Sequence, residues 1–384
     1  MQSTPKEYEA PDKSSSTLPP KRQKRNHRTS RAGPRGAAGE YGQPNFALIR
    51  GRVNFESNKD VFSADSIGEL ALQRIRLSRR WRIIGVYRCC FYCLDDSGEI
   101  LCIGSDRVER GPFTINSPSI GGLLETGISA GAVLNSDDSC LHFRDFSCCI
   151  DVGGAEIWDA AFPVCPEPLT SLESDVDVLI SLARRHAPLE SLGQLIPRTF
   201  KEASRSSTAI PLLSELLHER VWESIKCICQ DIEDKSQEDS TAVLANHLTS
   251  LIGAGYGLTP SGDDFCCGVI LGIARMQNRR AAESLAMALN AAAEERTTTL
   301  SRAFFRSLAE ARVSETQDRL LSNFGNSGVA DIRPILLRAA SHGSTSGWDM
   351  LAGWAFGVEL FRQRSLTGKA AYEKGCVCLS LIHI

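Results

Sequence analysis

The chain has 384 residues, 42% of them hydrophobic and 23% charged, which fits an ordinary soluble globular protein with length for two compact domains. Its formal net charge of −3 points to neither a nucleic-acid partner nor an acidic surface. The longest apolar run, around residues 265–274, falls far short of the roughly 20 residues that span a bilayer, and no apolar stretch follows Met1 as in a secretory signal, so no membrane partner is expected.

Residues 1–45 are rich in Pro, Ser, Gly, Lys and Arg and nearly free of large apolar side chains. Burial there cannot offset the entropy of ordering, so a disordered basic tail is expected. It contains KRQKRNHRTSR at residues 21–31, which reads as a nuclear-import or nucleic-acid tail or, more simply, as a solvated eukaryotic extension or a mispredicted start of a cytoplasmic protein.

A β-rich region follows, taken as residues 46–165. One short helix is expected at 66–78. WRIIGVYRCCFYCLDDSGEILCIGS then reads as two strands joined by a turn at DDSG. GPFTINSP, GAVLNSDDSCLHF and residues 146–152 add short strands bounded by Gly, Pro, Asn and Asp. Short strands linked by tight turns predict a mostly antiparallel arrangement.

Beyond Pro166 the apolar period changes to 3.6. Val176, Val178, Leu179, Leu182 and Ala183 mark one helix, and Leu212, Leu213, Leu216, Leu217, Val221, Ile225, Ile228 and Ile232 a longer one. Further helices are predicted at about 240–252, 264–278, 280–296, 298–311, 330–341 and 348–363. The fold class expected is therefore α+β, with the β-rich domain followed by a mainly helical domain over 166–370. The terminal LSLIHI, residues 379–384, matches translated library-adapter sequence, so 371–384 is expected to be an artefactual tail.

Fourteen cysteines are many for this length, but they come as neighbours (Cys89 and Cys90, Cys148 and Cys149, Cys266 and Cys267) or as the alternating Cys227 and Cys229. Such pairs suit small core side chains in a reducing compartment better than a disulfide framework. Cys89, Cys90 and Cys93 lack a second ligand cluster at zinc-like spacing.

The chemistry concentrates at residues 253–272, GAGYGLTPSGDDFCCGVILG. An echo lies 85 residues later: SGDDFCCGVILG from Ser261 and SGWDMLAGWAFG from Ser346 share S-G-x-D-[F/M]-x-x-G-x-x-x-G. Thr259 precedes the first copy and Ser344 the second at the same offset. Ser and Asp cap helix starts, and free N–H groups there, with the helix dipole behind them, favour an anion. Gly268 with Gly272, and Gly353 with Gly357, lie four apart on one helical face, so the two helices are expected to cross closely at their glycines and bring the two turns together. Asp263 and Asp264 exceed what capping needs, and two such carboxylates can hold Mg²⁺ bridging to a phosphate.

Other candidates are Thr297, Thr298, Thr299 and Ser301, as helix cap or cleft lining. His342 could serve as anion donor, general acid or incidental loop residue. Arg107 and Arg110 around GPF could face a carboxylate ligand or form a solvated strand edge. Walker and dinucleotide-binding fingerprints are missing, since GAGYGL has neither the spacing nor a preceding strand.

GxGLTPSGDDFxxG, the T-x-x-S of Thr298 and Ser301, and G-S-T-S-G-x-D-x-L-x-G from Gly343 resemble the AllH family, with GPF as a further family feature, over about residues 46–365. The resemblance implies a subunit of the oxamate carbamoyltransferase of anaerobic allantoin breakdown, acting with AllF and AllG subunits. The reaction implied is phosphorolysis of oxalurate to oxamate and carbamoyl phosphate, or the reverse. On that basis Gly257, Thr259, Ser261, Gly262, Thr298, Ser301, Ser344, Ser346 and Gly347 are expected to bind a small anionic substrate. Asp263, Asp264 and Asp349 are expected to be catalytic, with Asp263 or Asp349 holding Mg²⁺ or orienting the ligand. The basic tail departs from the bacterial pattern. Two other classes fit the same residues: a self-sufficient metal-dependent enzyme acting on an anionic metabolite, and a scaffold whose SGxD turns are only structural.

Overall fold

Alternating apolar residues build the first half of the molecule. The computed structural model describes residues 60–125, 127–163, 169–200, 211–232, 237–276, 278–326 and 331–370; the basic tail and the terminal LSLIHI lie outside them. The strands are β1 (Asp60–Ser63), β2 (Ser66–Gly68), β3 (Arg80–Val86), β4 (Cys90–Asp95), β5 (Ile100–Gly104), β6 (Thr114–Asn116), β7 (Val133–Ser136), β8 (Cys140–Phe143), β9 (Cys148–Asp151) and β10 (Glu156–Trp158). They form one 10-stranded sheet in the order β1-β9-β8-β7-β3-β4-β5-β6-β2-β10. Most neighbours are antiparallel; β1 with β9, β5 with β6 and β10 with β2 run parallel. Trp81, Ile83, Phe91, Cys93, Leu134 and Leu141 point from alternate strand positions into one buried core, as a period of two requires.

Two helices accompany the sheet, α1 (Glu69–Leu77) and α2 (Ile120–Glu125). The helix predicted at 66–78 begins three residues later, because residues 66–68 pair with β6 and β10. The run from Trp81 makes three strands rather than two: besides the DDSG turn, the chain reverses at Tyr87, whose N–H donates to Cys90 O at 2.8 Å.

The second half comprises α3 (Leu172–His186), a 3-10 turn (Leu192–Leu195), α4 (Ile196–Thr199), α5 (Leu212–Ile232), α6 (Gln237–Thr249), α7 (Ser261–Arg275), α8 (Arg279–Ala293), α9 (Thr299–Ala309), α10 (Glu315–Asn323), α11 (Arg333–Ala340) and α12 (Ser346–Ala370). The class is α+β, as expected. Helix α10 is an addition to the sequence-based elements, although its signal was present: Ser314 and Gln317 close a reciprocal capping box at its start. No helix among the described residues is long and apolar enough to cross a membrane.

The helices surround their own large core, and a small third cluster joins the two halves. There Phe113 meets Phe304 edge-on at 5.1 Å between ring centroids, beside Ile100, Cys102 and Leu300. Trp158 Nε1 donates to Val313 O at 2.9 Å, and Glu99, paired with Arg74 within the sheet half, reaches Arg306 across the same joint. Two of the cysteine pairs are core side chains, Cys148 with Cys149 and Cys266 with Cys267, all buried free thiols, whereas Cys89, Cys90 and Cys229 are half-buried and Cys227 is exposed.

Helices α7 and α12 cross at their glycines, as the repeat predicts. A Cβ on Gly268 would lie 1.9 Å from Met350 O, and one on Gly353 would lie 1.9 Å from Phe265 O. Gly272 and Gly357 continue the contact, with added methyl carbons 2.5 Å from Trp354 O and 2.6 Å from Val269 O. All the obstructing atoms are backbone, so no side chain can move aside. Gly353→Ala should therefore lower unfolding free energy by about 3 kcal/mol or more. Gly122→Ala, in helical conformation with nothing within 4 Å of an added Cβ, should change it by about +0.5 to +1 kcal/mol at most. Urea denaturation of the two variants checks both signs.

Candidate functional site

The glycine crossing brings the two SGxD turns together, and their side chains then interlock. Asp264, the last residue of the first SGDD, lies against the Ser346 hydroxyl of the second turn. Asp349, at the equivalent place in the second turn, lies against the Ser261 hydroxyl of the first. Thr259 Oγ1 and Ser346 Oγ are 2.8 Å apart across the junction. Both turn glycines are packed alike: a Cβ on Gly262 would meet Leu251 O at 2.1 Å, and one on Gly347 would meet Ala339 O at 2.2 Å. Each carboxyl thus engages the other copy's serine, which the linear repeat alone does not state.

A cavity of about 470 Å³ opens beside this junction. The glycine loop supplies Tyr256, Gly257 and Thr259; the α7 start supplies Asp264; the turn before α12 supplies His342, Ser344, Ser346 and Gly347. Gly257 has φ of 95°, a left-handed conformation on the cavity wall with nothing within 4 Å of an added Cβ. The sheet contributes Tyr92 and Glu109, α9 contributes Leu300 and Phe304, and the α10 start contributes Ser314 and Thr316.

Six predicted site residues therefore line one cavity: Gly257, Thr259, Asp264, Ser344, Ser346 and Gly347. The others stand behind it. Asp263 is 1% exposed and accepts from Gly253 N at 2.7 Å and from the Thr297 hydroxyl, with Ser301 beside it. Asp349 is fully buried and accepts from Leu192 N at 2.6 Å. Thr298 caps α9, accepting from Ser301 N at 3.1 Å, and donates to Leu258 O. Arg110 is held by protein groups: it pairs with Glu156 and Glu315 and stacks 4.4 Å over Trp158.

The expectation of free N–H groups at the α7 start is corrected. Gly262 N donates to Ala254 O at 2.8 Å, and Asp263 N and Asp264 N donate to Pro260 O at 2.9 and 3.2 Å. At α12, Gly347 N donates to His342 O and Asp349 N to Thr345 O, both at 2.9 Å. The turns that precede each helix supply the acceptors, so hydroxyl and carboxyl groups form most of the polar wall.

The titration behaviour of that wall follows from burial. Removal from water raises the Asp264 pKa well above the usual carboxylate value; the Ser346 and Thr259 hydroxyls oppose the shift, while Asp349 and Asp263 add to it. Its Oδ2 is shielded from water with no hydrogen-bond partner. Burial thus favours the protonated form of Asp264, in which the carboxyl has a proton to donate. Across the cavity His342 Nε2 lies 3.1 Å from Glu109 Oε2, while Nδ1 faces Ala339 O at 3.0 Å. Burial alone would lower the His342 pKa and raise that of Glu109, but their mutual attraction reverses both shifts. Thr316 donates to Glu109 as well. Glu109 carries no sequence signal of its own: it stands beside the more conspicuous Arg107, Arg110 and GPF, in a loop far from the repeat, and only the folded contact with His342 marks it.

Residues 251–358 match the family model described as oxamate carbamoyltransferase subunit AllH. Over this stretch the chain is similar to the AllH family. The match begins just before the glycine loop and ends just past the last crossing glycine, so it contains both SGxD turns, all of α7 and the first half of α12, and the sheet lies outside it. No curated protein and no solved structure matches the chain.

Burial pushes the Asp349 pKa up to about 6, against the pull of Leu192 N–H and the Ser261 and Thr345 hydroxyls. An acid whose folded pKa exceeds its unfolded value of about 3.9 holds its proton in the folded state while the unfolded chain releases it. Its contribution to stability therefore falls as pH rises between about 4 and 6, by at most ~3 kcal/mol. Asp349→Asn lacks this slope, so its stability relative to the natural chain should rise across that window. Urea unfolding of both proteins below and above the window tests this; a pH-independent difference would show Asp349 ionised throughout.

Proposed function

We propose that this protein is a subunit of a carbamoyltransferase-type enzyme, and that the cavity beside the paired helix starts binds a small substrate bearing carboxylate, carbamoyl or phosphate groups. The observation that carries the reading is Asp264, a carboxyl whose protonated form burial favours, with an unpartnered Oδ2 on a cavity wall assembled from both SGxD turns. The AllH match over those same turns supports the reaction class.

The chemistry of the wall suits such ligands. Carbonyl, carboxylate or phosphate oxygens need donors, which Asp264 and the Thr259, Ser344 and Ser346 hydroxyls provide. A carbamoyl or oxamate nitrogen carries N–H groups that need an acceptor, and Glu109 offers a carboxylate held in place by His342 and Thr316. Glu109 favours the protonated form of His342, and in that form His342 would add the attraction for an anion that the α7 backbone does not. Asp263 and Asp349 would act behind this wall, fixing the glycine loop and the 3-10 turn. Oxalurate, oxamate and carbamoyl phosphate have the required groups. Partner subunits of the AllF and AllG type would complete the enzyme in the cytoplasm.

A thermal-shift series tests the assignment with oxamate, carbamoyl phosphate and phosphate, each with and without Mg²⁺, on the chain alone and with candidate partner subunits. A ligand at a hundredfold its Kd adds about 2.7 kcal/mol of stability. We expect stabilisation by at least one ligand, lost in Asp264→Ala and largely kept in Asp264→Asn, which retains an N–H donor in the same place. No stabilisation by any ligand in any mixture would reject the site. A response confined to the mixtures would assign binding to the assembled enzyme.

A further inference from the structure

The β7–β8 hairpin gathers metal-binding side chains that the proposed function does not use. Leu141 and Phe143 face the sheet core and are buried. The period of two then turns Cys140 and His142 to the opposite face of the same strand. The hairpin turn returns Asp137 to that face, where its Oδ2 lies 2.9 Å from His142 Nε2. The ligand atoms of Asp137, Cys140 and His142 all lie within 4.8 Å of one another. The β8–β9 register places Asp151 directly opposite Cys140, with Asp151 Oδ1 3.9 Å from Cys140 Sγ.

We propose that Asp137, Cys140 and His142, with Asp151 on the fourth side, form a binding site for a zinc-class transition ion. Tetrahedral zinc with its usual bond lengths holds nitrogen, oxygen and sulfur ligands roughly 3.4–3.6 Å apart. The observed spacings bracket that range, so small side-chain rotations suffice. The backbone is already set: Asp137 Oδ1 accepts from Ser139 N at 2.9 Å and Cys140 N at 2.7 Å, leaving Oδ2 to turn from His142 to a cation. Among the described residues neither Asp137 nor Asp151 has a lysine or arginine partner, while the adjacent Arg79 goes to Asp138. A mixed sulfur, nitrogen and oxygen set on a half-exposed surface favours zinc over Mg²⁺ or Ca²⁺, which prefer oxygen alone. On binding, the Cys140 thiol gives its proton to solvent and the His142–Asp137 hydrogen bond is replaced by two metal bonds.

Cobalt(II) is the probe, because thiolate ligation gives a sulfur-to-cobalt charge-transfer band and tetrahedral geometry gives intense visible bands. The full-length reduced protein should show both on titration with Co²⁺, and Zn²⁺ should abolish them. Cys140→Ser should lose the charge-transfer band, and His142→Ala should weaken binding at least tenfold. Circular dichroism melting without metal should leave both variants within a few degrees of the natural chain, since all of these side chains reach solvent. Missing cobalt bands, or bands kept by both variants, would overturn the site and leave the Asp137–His142 contact as a hairpin hydrogen bond.

Discussion

The close crossing of α7 and α12 is the constraint on which the rest of the site depends. Four glycines let two helix backbones approach until carbonyl oxygens of one occupy the space where side chains of the other would stand. At that distance the starts of both helices must also be close. The consequences are local and chemical: serine from one turn meets aspartate from the other, in both directions. A bulkier crossing would separate the turns and leave two unrelated helix caps.

Close approach also explains why the carboxyls are unusual. Asp263, Asp264 and Asp349 sit at helix starts where an exposed aspartate would be ionised and favourable. Buried together, they cannot all carry charge without large cost, and each instead leans on a different set of donors. Asp263 takes the glycine loop and the α9 start, Asp349 the 3-10 turn, and Asp264 is left facing the cavity. Two of the three therefore build the frame in which the third is presented.

The sheet contributes more than support. The loop between β5 and β6 carries Glu109 to His342, and two residues of that region, Arg110 and Phe113, fasten it against α10 and α9. Arg110 stacks on Trp158 while reaching Glu315, so the loop is held from both sides. The cavity is thus closed by the joint between the two cores, although its repeat-derived wall belongs to the helical half alone.

Much of this was legible in the chain. Apolar period separated strands from helices, and α5, α7, α8 and α12 fell where 3.6-residue spacing put them, because a buried face must repeat at the pitch of its own element. The Gly-x-x-x-Gly pairs announced the crossing, since glycine four apart on a helix leaves a flat face whatever lies opposite. Tertiary structure decided the remainder. Which aspartate faces the cavity depends on donors 10 to 157 residues away, and sequence spacing carries no record of them. The fate of the helix-start N–H groups rested on turns that fold back to accept them. Glu109, Thr316 and the capped α10 joined the site through contacts between separate cores, and a pattern read along one element cannot report a neighbour supplied by another.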